Sequence, residues 1–442
     1  MSKPSLQSGI DGAGSAVNLL WKPGSEPWMP EIVEPEYAGW RAEQTAWHEG
    51  VALLNLSHHM SDTVIEGPDA TRLLSEVSAN NYEAFALGRA KQFVPVTSRG
   101  LLIEDGILLR EQENRYTLSG VSAAQNWVKY HGEKGGYDVR FDTDPESRVR
   151  GNAEPKIFRY QIQGPGAREL VERAFGKPLP ETKFFHSQLV DLDGRPVRAF
   201  RHGMAGQAGF EFVGAWADAD HVYDAFLRAG EPLGLVRVGS MAYPTASLES
   251  GWIPTVVPAI YTDPELAGYR EWVGLYSFEG QKPLHGSYFS ENIEDYYVSP
   301  YELGYGRLLS FKHDFIGREA LEKAREDVRR TKVTLVLDMA DVRRALGEDP
   351  GFVLSYARCR VEAGGELLGM TYYAGFLEPV GTVLALGVVD SAHAEPGTRV
   401  EIVWGEHPGA GTAPDADLGF PRIGATVQPA PFDQHARTQY RR

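Results

Sequence analysis

The sequence predicts an α+β protein whose C-terminal part is a small all-β domain, on three observations. Strand and helix signals mix without regular alternation from Val64 to about Arg318. Two clear strand–helix units lie inside that stretch, and the chain after Arg318 is mostly short strand-like runs between turn residues. In the first unit Phe158, Tyr160 and Ile162 alternate with Arg159, Gln161 and Gln163, the period of a half-buried strand. Gly164-Pro165 ends it, and Ala167, Leu170, Val171, Ala174 and Phe175 then recur at helical spacing. The second unit enters through Asp193-Gly194, a hairpin signal, and runs along a strand from Gly209 to Gly214. A helix follows with Val222, Ala225, Phe226 and Ala229 on one face, and Gly230 is placed to close it. A charged helix over 319–330 then precedes strands at Val333–Leu337, Leu367–Tyr373, Val383–Val389 and Val400–Trp404. The first forty residues, rich in Gly, Pro and Ser, read as an arm or loop. The organisation is therefore an arm over 1–40, an α+β region over 41–318 and a β domain over 319–442.

A chain of 442 residues is long for one core, so two or three domains are expected. With 44 basic against 60 acidic residues the net charge is −16, and no basic run gathers anywhere. That balance repels nucleic-acid phosphates, so no nucleic-acid partner is expected. Cys359 stands alone, which excludes an intrachain disulfide and a cysteine-ligated metal centre. The N-terminus shows no signal-peptide core, and no segment has the length to cross a bilayer. A cytoplasmic location with no membrane partner is the expectation.

Common catalytic motifs are missing. Gly203, Gly206 and Gly209 lead into a strand rather than a helix, unlike a dinucleotide fingerprint, and no Walker A, HExxH or GxSxG sequence occurs. His58 and His59 follow the apolar run Val51 to Leu56; neighbours on a strand face opposite ways, so the pair is ill suited to chelate one metal. One of them can serve as a hydrogen-bonding group or proton shuttle, or be a structural histidine. Asp105 shares its parity with Leu101, Ile103, Ile107 and Leu109, which would turn a carboxylate inward in a continuous strand. Asp105-Gly106 between apolar runs is equally a hairpin turn, the reading that spacing favours. Glu211 alternates with Phe210 and Phe212 beside a glycine-rich loop, and could accept two parallel hydrogen bonds from an amidine-like edge or lie exposed on its strand. Tyr243, in the turn-forming Met241-Ala242-Tyr243-Pro244, is either a phenol matched in basicity to a phenolate leaving group or an ordinary structural tyrosine. Eleven aromatic residues crowd 252–301, about twice the chain-wide 11%, as core or as rings offered to a ligand.

Taken in order, several segments resemble the aminomethyltransferase (glycine-cleavage T-protein) superfamily, and within it the tetrahydrofolate-dependent aryl O-demethylases. They are Leu56-Ser57-His58-His59-Met60, Ala90-Lys91-Gln92-Phe93-Val94-Pro95, Ile162-Gln163-Gly164-Pro165, His202-Gly203-Met204-Ala205-Gly206, Ala242-Tyr243-Pro244, Leu248-Glu249-Ser250-Gly251-Trp252 and Tyr301-Glu302-Leu303-Gly304-Tyr305-Gly306. The resemblance implies a three-domain ring with tetrahydrofolate at its centre and a small C-terminal β-barrel. It implies that Glu211 and Gln163 hold the pterin edge, that Gln92, Phe93 and Trp252 line its cavity, and that Asp105 lies near the reacting nitrogen, against the turn reading. Tyr243 stands where glycine-cleavage enzymes carry an arginine, which implies proton donation by Tyr243, substrate orientation by His59, and no lipoyl-carrier partner. His58 and Val121 would face the substrate. In relatives acting on aromatic acids an arginine occupies the position of Val121, so a neutral substrate is expected unless Arg99 or Arg115 reaches in. The chain is similar to the sesamin-metabolising members, which implies transfer of a methylenedioxy carbon from a lignan. The alternatives are O-demethylation of a methoxyarene of the vanillate or syringate type and the glycine-cleavage reaction itself.

Overall fold

The computed structural model describes residues 3–440 and builds them around three sheets. A six-stranded sheet has the order Val236–Val238, Ala52–Asn55, Ile157–Gln163, Gly209–Ala215, Arg195–Phe200, Ser187–Leu192. A five-stranded sheet has the order Ala90–Phe93, Gly106–Gln112, Arg115–Gly120, Ser61–Glu66, Arg140–Asp144. Its residues form an insertion between Ala52–Asn55 and Ile157–Gln163, antiparallel neighbours in the first sheet, so the two units interleave. The third sheet closes on itself because Glu366–Leu377 and Thr382–Asp390 pair directly, giving a six-stranded barrel in the C-terminal region. The α+β class and the C-terminal barrel are as the sequence predicted.

Local details follow from residue chemistry. Asp193 and Gly194 both take positive φ (53° and 84°), which matches the right-handed twist of the hairpin strands that flank them. The helix Ala219–Gly230 buries Val222, Ala225 and Phe226, and burial of each large side chain stabilises by about 1.5–3 kcal/mol. Gly230 does not end the turn, since a 3₁₀ segment Glu231–Leu233 continues to Gly234 (φ 68°), the residue in the left-handed conformation. The helix predicted over 319–330 spans Arg318–Ala324, because Arg330 is already drawn into the barrel opposite Asp390. The barrel also holds strands that periodicity missed, among them Arg360–Ala363 and Arg422–Gln428.

The first forty residues are not simply a loop. Helices Leu6–Ala13 and Ala16–Leu20 are capped by Ser5 and Ser15, and Leu6, Val17 and Leu20 are buried in the core. The 252–301 segment divides between the two readings. Tyr261, Tyr269, Phe289, Tyr296 and Tyr297 are core, whereas Trp252, Phe278 and Tyr301 line the central cavity. Among the described residues no helix is long and apolar enough to cross a membrane.

Candidate active site

The three sheets surround a cavity of about 1530 Å³. The five-stranded unit contributes Gln92, Asp105 and Val121, the six-stranded unit Glu211, and the barrel Lys332 and Tyr373. Binding sites for single small ligands run to about 1,000 Å³, so this space suits two ligands side by side.

Asp105 is not in a turn. It ends the irregular stretch before the strand Gly106–Gln112, and Gly106 lies so close to the next strand that a Cβ there would sit 2.8 Å from the Ser119 carbonyl oxygen. The carboxylate, 3% exposed, accepts hydrogen bonds from Trp252 Nε1 (3.0 Å), from the Tyr305 hydroxyl (2.8 Å) and from Gln92 Nε2. Burial pushes its carboxyl above the usual range, and the three donors pull the other way. Glu104 beside it is fully buried and is raised further, by burial and by Asp105.

Across the cavity, Tyr243 is the second residue of the helix Ala242–Ser250 rather than part of a turn, since the first turn accommodates Pro244 without losing a hydrogen bond. Its hydroxyl has no hydrogen-bond partner among the described residues. Burial, reinforced by Glu211, pushes the phenol above its ordinary value, so it keeps its proton at neutral pH. The His59 ring meets Tyr243 edge-on, centroids 4.7 Å apart, and both imidazole nitrogens are buried without a partner. Burial and His58 lower its pKa to about 3, so the imidazole is neutral at pH 7.

Glu211 reaches the cavity but is not an unencumbered pair of oxygens. One of them accepts from the buried Arg159, whose other arm donates to Asp62 (2.6 Å) and Ser119 (3.1 Å). One cation between two carboxylates leaves a net negative charge at this wall, and it ties the six- and five-stranded sheets together.

Three expected site residues lie elsewhere. Phe93 is fully buried in the core, because it neighbours Gln92 on one strand and must point to the opposite face. Gln163 spends both ends of its amide on the adjoining loop, donating to Gln207 O (3.0 Å) and accepting from Ala205 N (2.9 Å). His58 turns away from His59, its Nδ1 3.0 Å from Arg150 and its ring against Trp216. Both histidines sit in a turn after the strand, not on it. Val121 and Trp252 do line the cavity. Sequence reasoning missed Tyr305, Arg159, Arg148 and Trp28. Arg159 carried a signal in its shared parity with Gln161 and Gln163, and Tyr305 in its place within the 301–306 segment.

The chain's relatives agree with this architecture. The family model described as the GCVT N-terminal domain matches residues 26–256. Syringate O-demethylase of Sphingobium sp. (strain NBRC 103272 / SYK-6) is 37% identical over 99% of this chain and 97% of its own. Sesamin methylene transferase of Sinomonas sp. (strain No.22) is 30% identical over 85% of this chain and 86% of its own. In fold, the glycine cleavage system aminomethyltransferase T from Bartonella henselae superposes with a TM-score of 0.64 at 19% identity, covering 98% of both chains. An acceptor-rich cleft with a buried carboxylate at each wall fits the amine-rich edge of a reduced pterin. The chain belongs to the GCVT aminomethyltransferase family and is a tetrahydrofolate-dependent one-carbon transferase.

Proposed function

We propose that this enzyme moves an ether-bound carbon from an aromatic ether to tetrahydrofolate, with an aryl methyl ether as the carbon donor. The observation that carries the reading is the unpartnered Tyr243–His59 ring pair in the same cavity as the hydrogen-bonded Asp105. Bound tetrahydrofolate supplies a nucleophilic amine to take up the carbon. Glu211, Gln92, Asp105 and Trp252 would hold it on one side. As the carbon–oxygen bond breaks, negative charge gathers on the aryl oxygen and Tyr243 gives that oxygen its proton, while the one proton that the alkylated amine would release restores the phenol. Neutral His59 orients the arene through its substituent oxygens, holding the ether carbon towards the coenzyme. The full-length similarity to the syringate enzyme supports the methoxy reading.

A second reading takes the methylenedioxy bridge of a lignan such as sesamin, giving a catechol. Val121 on the cavity wall and the similarity to the sesamin enzyme favour it. Mass analysis of the folate product separates the two. Incubation with tetrahydrofolate and a panel of methoxyarenes and sesamin is expected to give the methyl oxidation level from a methoxyarene. Consumption of sesamin alone, with the methylene level, reverses the order; turnover only with an aminomethylated lipoyl carrier defeats both.

A further inference from the structure

We propose that Arg148, and not the Val121 position, is the specificity residue that seats a substrate carboxylate at the substrate end of the cavity; this rests on the aryl-ether reading above. The expectation of a neutral substrate followed from Val121 and was conditional on Arg99 and Arg115. Neither of those lines the cavity: Arg99 grips Glu294 through two hydrogen bonds (2.8 and 2.9 Å), and Arg115 pairs with Glu66 and Glu111. Arg148 does line it. The backbone N–H of Glu146 donates to Ser61 Oγ (3.1 Å), and Ser61 pairs with Gly120. The short helix Ser147–Arg150 is thereby anchored to the strand edge that presents Val121.

Two arginines of that helix behave in opposite ways. Arg150, its side chain 5% exposed, is consumed by Asp144, the Pro145 carbonyl and His58. The Arg148 guanidinium makes no hydrogen bond among the described residues; its contacts are a loose ion pair with Glu146 (3.4 Å) and the face of Trp28 at 5.8 Å. Trp28 meets His59 edge-on at 6.4 Å, and His59 meets Tyr243. A continuous wall therefore leads from the proton donor to a guanidinium with its donors open. Burial raises the Glu146 carboxyl, and Arg148 opposes that rise, so this carboxylate is a poorly solvated counter-ion that a bidentate substrate carboxylate can replace.

Arg148→Gln and Glu146→Gln, measured against a methoxybenzoic acid and its methyl ester, test the seat. Arg148→Gln is expected to lower the acid-over-ester preference in kcat/KM at least about tenfold, through KM. Glu146→Gln is expected to lower KM for the acid, since a competing carboxylate is gone. Equilibrium dialysis of the demethylated acid, without tetrahydrofolate, gives a readout independent of turnover, with binding weakened in Arg148→Gln. An unchanged preference and unchanged acid binding in Arg148→Gln overturn the seat. Wild-type enzyme that binds the acid through Arg148 but cleaves no ether leaves the seat standing and defeats the aryl-ether reading.

Discussion

The two sides of the cavity are built on opposite principles. Around Asp105 three donors converge on one buried carboxylate, and each of those side chains is fixed by that contact. Around Tyr243 the phenol and the His59 imidazole touch only through their ring edges, and their polar atoms meet no protein partner. A satisfied network is rigid and gains little from a newcomer, whereas shielded, unpaired polar atoms are stabilised by whatever ligand completes them. On the proposed function, the first side is the one pre-organised to hold the coenzyme, and the second is the one left for a substrate that supplies the missing hydrogen bonds.

Breaking the incomplete side has the largest expected effect. Tyr243→Phe should reduce kcat by about 10²–10⁴-fold while tetrahydrofolate affinity stays within about twofold, because the loss falls on leaving-group protonation. Equal losses in rate and coenzyme affinity, measured by single turnover and calorimetry, would move Tyr243 to the other side of the comparison. Asp105→Asn comes next: it turns an acceptor into a group that also donates towards Trp252, Tyr305 and Gln92, with an expected loss of about 10–100-fold in kcat/KM. Tyr305→Phe should do less to rate and more to pH dependence. Removing one donor leaves the Asp105 carboxylate less stabilised, so the acid limb of the pH–rate profile should move to higher pH.

The smallest effect is one of stability. Folding depresses His59 from an ordinary 6.5 to about 3, so between these values the unfolded chain binds a proton that the folded chain refuses. Stability is therefore full above about pH 6.5 and is lost as pH falls, by about 1–2 kcal/mol at pH 5 from this group. His59→Asn should flatten that part of the melting-temperature profile, and an unaltered slope between pH 7 and 5 would show that water reaches the ring.

Much was legible in local patterning. The alternation about Tyr160, the Asp193-Gly194 turn and the barrel strands are set by side-chain period and turn chemistry, which act within a few residues. Tyr243, His59, Asp105 and Trp252 were legible only jointly, through the order of their motifs, and the structure brings them to one cavity. Other placements depended on contacts far apart in the chain. The spacing about Asp105 suggested a turn because the donors that make a buried carboxylate tolerable, Trp252 and Tyr305, lie 147 and 200 residues away. Glu211 gave no hint of Arg159, and Gln163 none that its amide would be consumed by the 203–207 loop.

By itself the sequence determined the α+β class, the C-terminal barrel, the acidic charge balance and the membership of the family, because period, composition and motif order are properties of the chain. Tertiary structure alone decided which polar groups are paired and which are left open. That choice separates Arg150 from Arg148, His58 from His59 and Phe93 from Gln92. Neighbours in sequence acquire opposite environments once the sheets close around them, and hydrogen-bond satisfaction depends on the environment.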